Sequence, residues 1–472
     1  VRLKRILILF ITIYFMKTHH YIFLTTALFV VLFYEQDMGL NFGILGIVYA
    51  LVTMFKTTEQ NKTKTFYMLF ATSILSSLAF AWYSDFPSFL AVISSLFLLS
   101  YRSKNRKMKI LFLIPVFIVN SFTSVCRIFN FDGWLPKANI SKLWQKTLAF
   151  ILIPFLLLSV FFGIYSAGSD HFAALFTDYE LDINLWEVFC LSVLGFFIAF
   201  NYWNFAVERL IYKTHYILDN DFKKEARIPQ ATYSFLDLDT ERISGVISLF
   251  LLNILLVFFI ITYNYEQFYE VKKSPVQLSE ETHERVNAVI MSIIMSILVI
   301  MFYFKSGFNF DPKAKLMKLL AKIWIFMNAV LVLSAAVKNY EYIVYYAFTY
   351  KRLGVFAFLL LSLIGLVLTY IKIQKKKRNA FLFNMMAWCF YGTVLACSYI
   401  NWGSFITSQN MKRKDFEVNY YLESVNFSEK ELLKYAEEKN DKKLKMDLHK
   451  KITNEKSKAF LSKVLYYQTL KD

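Results

Sequence analysis

The feature that most constrains this chain is a succession of long apolar blocks, most of them near the ~17–25 residues that cross a bilayer. They lie near 20–34, 40–55, 65–82, 87–101, 147–164, 184–204, 243–263, 286–304, 319–337, 353–371 and 380–399. Inside hydrocarbon every backbone N–H and C=O has to be satisfied within the protein, so such blocks predict helices. A transmembrane barrel would instead show short alternating segments, which the sequence lacks. Composition agrees: 57% of residues are hydrophobic and 19% charged, against about 25% charged in soluble domains. The expected fold is all-α, a polytopic transmembrane helical bundle with about eleven spans, one interfacial or re-entrant helix and a small helical C-terminal tail. The expected organisation is a short basic N-terminal segment (1–19), a transmembrane domain (20–403) and a soluble helical tail (404–472). A soluble enzyme, a secreted disulfide scaffold and a nucleic-acid-binding domain are excluded.

Charge orients the blocks. Loops 56–64, 102–146, 205–242, 305–318 and 372–378 carry 27 Lys and Arg, whereas loops 35–40, 85, 165–183, 264–285 and 338–352 carry 6. This asymmetry matches positive-inside sorting and absorbs most of the formal +18 without a nucleic-acid partner. It requires that residues 108–130 do not span. Met108–Val119 is apolar, but Pro115, Asn120, Ser121, Thr123, Ser124 and Arg127 interrupt the stretch, which reads as an amphipathic interfacial helix. If it spanned, the acidic loop Asp170–Asp182 would face the cytoplasm. The expected location is therefore the bacterial cytoplasmic membrane, N-terminus inside and tail outside. The 15 basic and 11 acidic residues of the tail do not oppose export, because long segments translocate largely regardless of charge. Ile6–Met16 is too short to span and follows Arg2, Lys4 and Arg5; Met16 reads as the start in preference to a signal peptide, since no small-residue cleavage site follows.

Cys126, Cys190, Cys389 and Cys397 all fall in apolar segments without a CxxC pair, so neither a metal site nor a disulfide framework is expected. Nucleotide-, zinc- and dinucleotide-binding motifs are absent too, and no cofactor is expected. Gly and Pro number only 13 and 7, and there is no internal repeat; both count against the broken helices of a transporter. Gly39, Gly43 and Gly46 form one close-packing element.

The run Phe33-Tyr34-Glu35-Gln36-Asp37-Met38-Gly39-Leu40-Asn41 resembles the Phe-Tyr…Gly-Leu-Asn opening of a bacterial family of multi-spanning membrane proteins, known only as a domain of unknown function. Glu241 with Asn253 is similar to the family's Glu…Leu-Asn helix. Ser334-Ala335, Lys338, Tyr342, Tyr346-Ala347-Phe348-Thr349 and Arg352 resemble its Ser-Ala…Arg…Tyr…Tyr-Gly-Leu-Thr…Arg signature. Asn401, Ile406, Asn410, Arg413 and Tyr421-Leu422 are similar to its C-terminal stretch. Ala347 stands where the family has Gly, and Lys338 where it has Arg. The resemblance implies fold and location and brings no activity.

Four groups are candidate sites. Glu35 and Asp37, in the first outer loop, stand where membrane glycosyltransferases carry an acidic base or metal ligand; an interfacial acidic loop is the plainer account. Ser169-Asp170-His171 leads into Asp178, Glu180 and Asp182, and His171 is the acid–base candidate there, against a solvated loop. Asn253 and Asn328, with Asn201, Asn204 and Asn384, lie in or beside apolar helices, where they line a pathway or hydrogen-bond between helices; Glu208 and Arg209 follow closely. Tyr342, Tyr346, Thr349 and Arg352 belong to a Tyr-rich cluster, 338–352, that either binds a headgroup or glycan or forms an aromatic belt. Because it coincides with the family signature, this cluster ranks first as a functional surface. The expected partners are the lipid bilayer and envelope proteins or lipids. The expected role is structural, regulatory or assembly-related and non-enzymatic, with a transporter or lipid-handling permease, then a membrane enzyme acting on a lipid-linked substrate, as alternatives.

Overall fold

The computed structural model describes residues 17–105, 109–135, 150, 153–169, 172, 184–206, 215–231, 235, 237–269, 275–305 and 307–470, and side chains within these except at 215–216, 267–268, 275–285 and 307. Among the described residues all regular structure is helical. The α-helices are α1 (Thr18–Phe33), α2 (Leu40–Lys56), α3 (Lys64–Tyr83), α4 (Phe86–Lys104), α5 (Leu113–Phe129), α6 (Ile153–Gly168), α7 (Leu185–Trp203), α8 (Leu238–Tyr269), α9 (Pro275–Tyr303), α10 (Lys315–Tyr346), α11 (Tyr350–Gln374), α12 (Asn379–Tyr399), α13 (Trp402–Asn410), α14 (Val418–Ser424), α15 (Glu429–Glu438), α16 (Lys442–Ser457) and α17 (Leu465–Gln468). Nine of these helical segments are long and apolar enough to cross a membrane by length and composition, and α1, α2 and α6 are shorter apolar helices. Eleven of the twelve coincide with the blocks read from the sequence; the twelfth, Ile110–Phe129, is the stretch read as interfacial. Large apolar side chains stand exposed along them, such as Phe122 on α5, Phe155 on α6 and Phe258 on α8, as lipid-facing surfaces require.

The chain divides into two compact units. The first, Val1–Arg106, Leu113–Glu208 and Ser457–Leu465, holds α1 to α7 with a short C-terminal segment. Polar caps start its helices: Thr63 accepts from the Phe66 N–H, Asp85 from Ser88 and Asn184 from Glu187. Small residues let α2, α3 and α4 approach closely. Gly43 and Gly46 of α2 face Ser77 and Ala81 of α3 with no room for a Cβ, and Ser73, Ser76 and Ser77 are fully buried. Each of these three serines donates its hydroxyl back to a carbonyl of its own helix. Tyr21, Tyr49, Tyr202 and Trp203 close the core between α1, α2 and α7.

α5 lies within a segment, Ile110–Phe129, that is long and apolar enough to cross a membrane, and its polar residues tie it to the end of α7. Lys104, at the end of α4, donates to the Trp203 and Phe205 carbonyls (3.2 and 2.9 Å), which puts that end beside the end of α7. Asn120 exchanges two hydrogen bonds with Ala206 (2.6 and 2.9 Å). Trp134, beyond α5, packs on Phe196 and Phe200, in the last turns of α7.

The second unit, Lys107–Phe112, Arg209–Lys456 and Tyr466–Asp472, packs α8, α9 and α11 around α10, with α12 against α11. Its core is aliphatic and aromatic, with Leu249, Ile293, Ile300, Phe304, Phe308 and Met317 buried. The short helices α13 to α16 form a separate small core of Ile406, Tyr421, Val425, Leu432, Leu444 and Leu448. This is the helical tail that the sequence predicts.

Candidate functional site

In the first unit, the loop between α1 and α2 carries Glu35 and Asp37. Asn41 is fully buried and ties the loop from inside: its Oδ1 accepts from the Gly39 and Phe42 N–H groups (2.9 and 2.8 Å) and its Nδ2 donates to the Leu32 and Asp37 carbonyls (3.1 and 2.9 Å). The C-terminal segment then closes over it. Asp37 N–H donates to Ser462 Oγ (2.9 Å), Ser462 Oγ donates to Gln36 Oε1 (2.9 Å) and Leu40 N–H donates to the Lys463 carbonyl (3.0 Å). Gly39 sits where the segment's backbone passes; a Cβ there would lie 2.6 Å from the Ser462 carbonyl oxygen. The Gly-Leu-Asn element therefore builds a seat for the chain's own C-terminal residues. The carboxylate of Asp37 is left in solvent, 77% exposed, with Lys458 Nζ 3.9 Å away. Glu35 is held by its backbone N–H, which donates to Glu187 Oε1 (2.8 Å).

In the second unit, the corner between α10 and α11 gathers Tyr342, Tyr346, Thr349 and Arg352. A helix leaves its last four carbonyls without intrahelical partners, and here all four are met. The Ile343 carbonyl accepts from Ala347 N–H (2.8 Å), those of Val344 and Tyr345 from the Arg413 guanidinium (2.5 and 2.7 Å), and that of Tyr346 from Arg352 Nη1. Arg352 Nη1 also reaches the Ala347 carbonyl, and its guanidinium lies over the Tyr342 ring at 4.2 Å and beside that of Tyr346 at 6.0 Å. Thr349 caps α11 by accepting from Arg352 N–H. Asn410 pairs with Phe348 like a neighbouring strand, accepting from its N–H (2.8 Å) and donating to its carbonyl (2.9 Å). Arg413 closes a fork on Asp415 (2.9 and 3.0 Å), and this hydrogen bonding holds the Asp415 carboxyl below its ordinary pKa. Ala347 takes φ 70° and ψ 169°, a region that favours glycine. The turn thus holds an alanine in a conformation that glycine takes more readily.

The corner also opens a cavity of about 340 Å³. One end is polar, with Asn339, Tyr342, Lys351 and Arg352; the wall is apolar, with Val286 and Ile290 from α9 and Val355 and Phe358 from α11. Gly354 completes the lining, and a Cβ there would meet nothing within 4 Å. The tyrosines divide between the two accounts given by the sequence. Tyr340, Tyr345 and Tyr350 are exposed like a belt, whereas Tyr342 is buried against Arg352.

The intramembrane asparagines pack helices. Asn328 is fully buried; its Oδ1 accepts from Ser296 Oγ (2.7 Å) on α9 and its Nδ2 donates to the Trp324 carbonyl (2.8 Å). Asn253 Nδ2 donates to the Leu249 and Leu320 carbonyls (2.7 and 3.1 Å), joining α8 to α10, while its Oδ1 is buried without a hydrogen bond among the described residues. Asn201 bonds its own helix, and Asn384 ties α12 to Leu218 and Asn220. Neither Asn253 nor Asn328 lines either cavity. His171, with Asp170, Asp178, Glu180, Asp182, Glu208 and Arg209, lies outside the described residues.

Two features have no sequence signal of their own. Lys372, which the sequence assigns to an inner loop, is fully buried and donates to the Phe304 carbonyl (2.6 Å), capping α9. A second cavity, of about 180 Å³, lies in the first unit between Lys56, Asn61, Lys104 and Tyr202. There Lys56 Nζ faces the rings of Tyr21 and Trp203 at 4.7 and 5.1 Å. It is smaller than the ~300–1,000 Å³ usual for small-molecule sites, and Lys56 and Lys104 sit at helix C-termini, where cations are stabilised without a ligand. Among the described residues no group of three or more His, Cys, Asp or Glu is placed to hold a metal ion.

The model of one protein family, described as Domain of unknown function (DUF4153), matches residues 23–434. No curated protein and no solved structure matches the chain.

Proposed function

This chain belongs to the DUF4153 family, and on that premise we propose that it is a non-enzymatic component of the cell envelope, structural or assembly-related, with its N-terminus inside and its tail outside. That it is an integral membrane protein follows from its many apolar helices. One observation carries the finer reading. The residues read as motifs build helix corners and fasten them: Asn41 and Arg352 bond within their own corners, while Gly39 admits the Ser462 backbone and Asn410 and Arg413 bind the α10–α11 corner. A catalytic loop would instead hold its acid in a cleft, and Asp37 is solvated. A pathway would leave its polar groups facing water, and Asn328 is enclosed between helices. On this reading the Tyr342–Arg352 corner is the recognition surface of the component.

The test is untargeted lipid and metabolite profiling of a deletion strain complemented with Asp37→Ala or His171→Ala. Both variants are expected to restore the wild-type profile. If either accumulates normally in the membrane yet fails to restore it, the non-enzymatic reading is overturned.

A further inference from the structure

We propose that the crevice at the α10–α11 corner seats an anionic phospholipid, its phosphate on Lys351 and Arg352 and its first acyl carbons along Val286, Ile290, Val355 and Phe358. This rests on the corner being a recognition surface.

Four observations converge on that ligand. The crevice is segregated into a cationic, hydrogen-bonding end and an apolar wall, which matches an amphiphile and neither a free ion nor a sugar. Its place along the helices is that of a headgroup. On α9 the apolar run starts at Val286, directly after the polar run Glu280–Arg285; Arg352 lies in the first turn of α11, and exposed Tyr340, Tyr345 and Tyr350 stand around the same corner like an aromatic belt.

The charge is also unanswered. Lys351 makes no ion pair among the described residues, and the hydrogen bonds of Arg352 use its backbone and Nη1, leaving the other edge of the guanidinium for a phosphate. Among the described residues no carboxylate lines the crevice; Glu341, nearest in sequence, is 3.9 Å from Lys338, and the side chains of Glu280, Glu281 and Glu284 on α9 lie outside the described residues. Finally, Gly354 leaves open the volume that any larger residue would fill. At about 340 Å³ the space falls at the lower end of the ~300–1,000 Å³ range of ligand sites, enough for a headgroup with the start of its chains.

The experiment is native mass spectrometry of the detergent-purified full-length chain, titrated with phosphatidylglycerol or phosphatidylcholine. Wild type is expected to retain phosphatidylglycerol about tenfold better, the scale for one or two cations beside an anionic headgroup. Gly354→Leu fills the crevice and replaces a helical glycine with a better helix former, so the folded state is expected to be at least as stable. It is expected to lose retention of both lipids. Lys351→Glu, on the exposed rim, is expected to abolish the preference while keeping phosphatidylcholine. Inorganic phosphate at 10 mM is expected not to displace the lipid; complete displacement would identify a free-anion site and overturn the proposal. Equal retention of the two lipids by wild type would overturn it as well, as would wild-type retention in whichever of the two variants is obtained folded. These readouts are independent of complementation. Loss of the lipid preference with full rescue by Asp37→Ala and His171→Ala would remove the ligand and leave the non-enzymatic role standing.

Discussion

The α1–α2 loop and the α10–α11 corner solve one problem in opposite ways. Each is a turn between apolar helices that is fastened by residues from the C-terminal part of the chain. In the loop the fastening is short, through the Ser462 hydroxyl and one backbone bond from Leu40 to Lys463, and the two chains pass so close that Gly39 has no room for a side chain, while the acids of the loop are left in water. At the corner the fastening runs through the side chains of Arg352, Asn410 and Arg413, and a cavity opens beside Tyr342 and Arg352. Close approach of two backbones closes a surface, whereas longer side chains can hold one open. The loop whose acids resemble a catalytic pair is therefore the weaker candidate, and the corner the stronger one.

The largest expected effect is at the corner. Asn410→Ala removes both partners of Phe348 at once, and an unsatisfied buried backbone group costs about 1–3 kcal/mol. A loss of about 3 kcal/mol in unfolding free energy is expected, read by thermal or denaturant unfolding in a defined detergent. A loss under about 0.5 kcal/mol would mean that water replaces the amide and that the corner is not held by side chains.

Gly39→Ala tests the loop in the same currency. Its Cβ would lie 2.6 and 2.8 Å from the carbonyl oxygens of Ser462 and Lys463, and neither backbone can yield cheaply. The C-terminal segment is expected to lift at a cost of about 1–3 kcal/mol, as for other overpacked sites. Trypsin cleavage at Lys458 and Lys463 would then accelerate while the helical signal stays constant. Unchanged cleavage would show that the segment is not seated by this glycine.

Ala347→Gly moves stability the other way. A non-glycine residue at φ 70° and ψ 169° carries about 1–3 kcal/mol of strain, and the greater freedom of glycine in the unfolded chain takes back about 0.5–1 kcal/mol. A net gain of about 1 kcal/mol is expected, with phosphatidylglycerol retention unaltered. A destabilised variant would mean that the Ala347 methyl group packs more favourably than its backbone is strained.

These contrasts also mark how far the sequence reaches. The spans are legible because hydrocarbon admits helices and closed barrels only, so an apolar block of sufficient length has one outcome. The polar interruptions of residues 108–130 are legible as unusual, and Asn120 and Arg127 turn out to hydrogen-bond to Ala206 and Asn204 just beyond α7. The motif residues are legible as unusual, but their use is not. Nothing local to Gly39 announces that Ser462 will lie against it, and nothing near Phe348 announces Asn410. Lys372 misleads for a similar reason: beside Lys375, Lys376 and Lys377 it reads as one more inner-loop cation, and only the end of α9 beneath it turns it into a cap.

The smallest expected effects separate the two surface carboxylates. Asp37 faces Lys458 at 3.9 Å in the open, a pair of the kind worth about 0–1 kcal/mol, so Asp37→Ala is expected to change stability by less than about 0.5 kcal/mol. Asp415 is also exposed, yet the Arg413 fork depresses its pKa. A carboxyl whose folded pKa lies below its unfolded value contributes stability above the unfolded value, near 3.8, and loses it as pH falls through the folded value. Wild type is therefore expected to lose corner stability on acidification below about pH 4, while Asp415→Asn shows a shallower dependence there and unfolds slightly more readily at neutral pH. Parallel pH profiles for the two proteins would mean that the fork does no more for Arg413 than solvent does. The hold on the Val344 and Tyr345 carbonyls would then rest on the guanidinium alone.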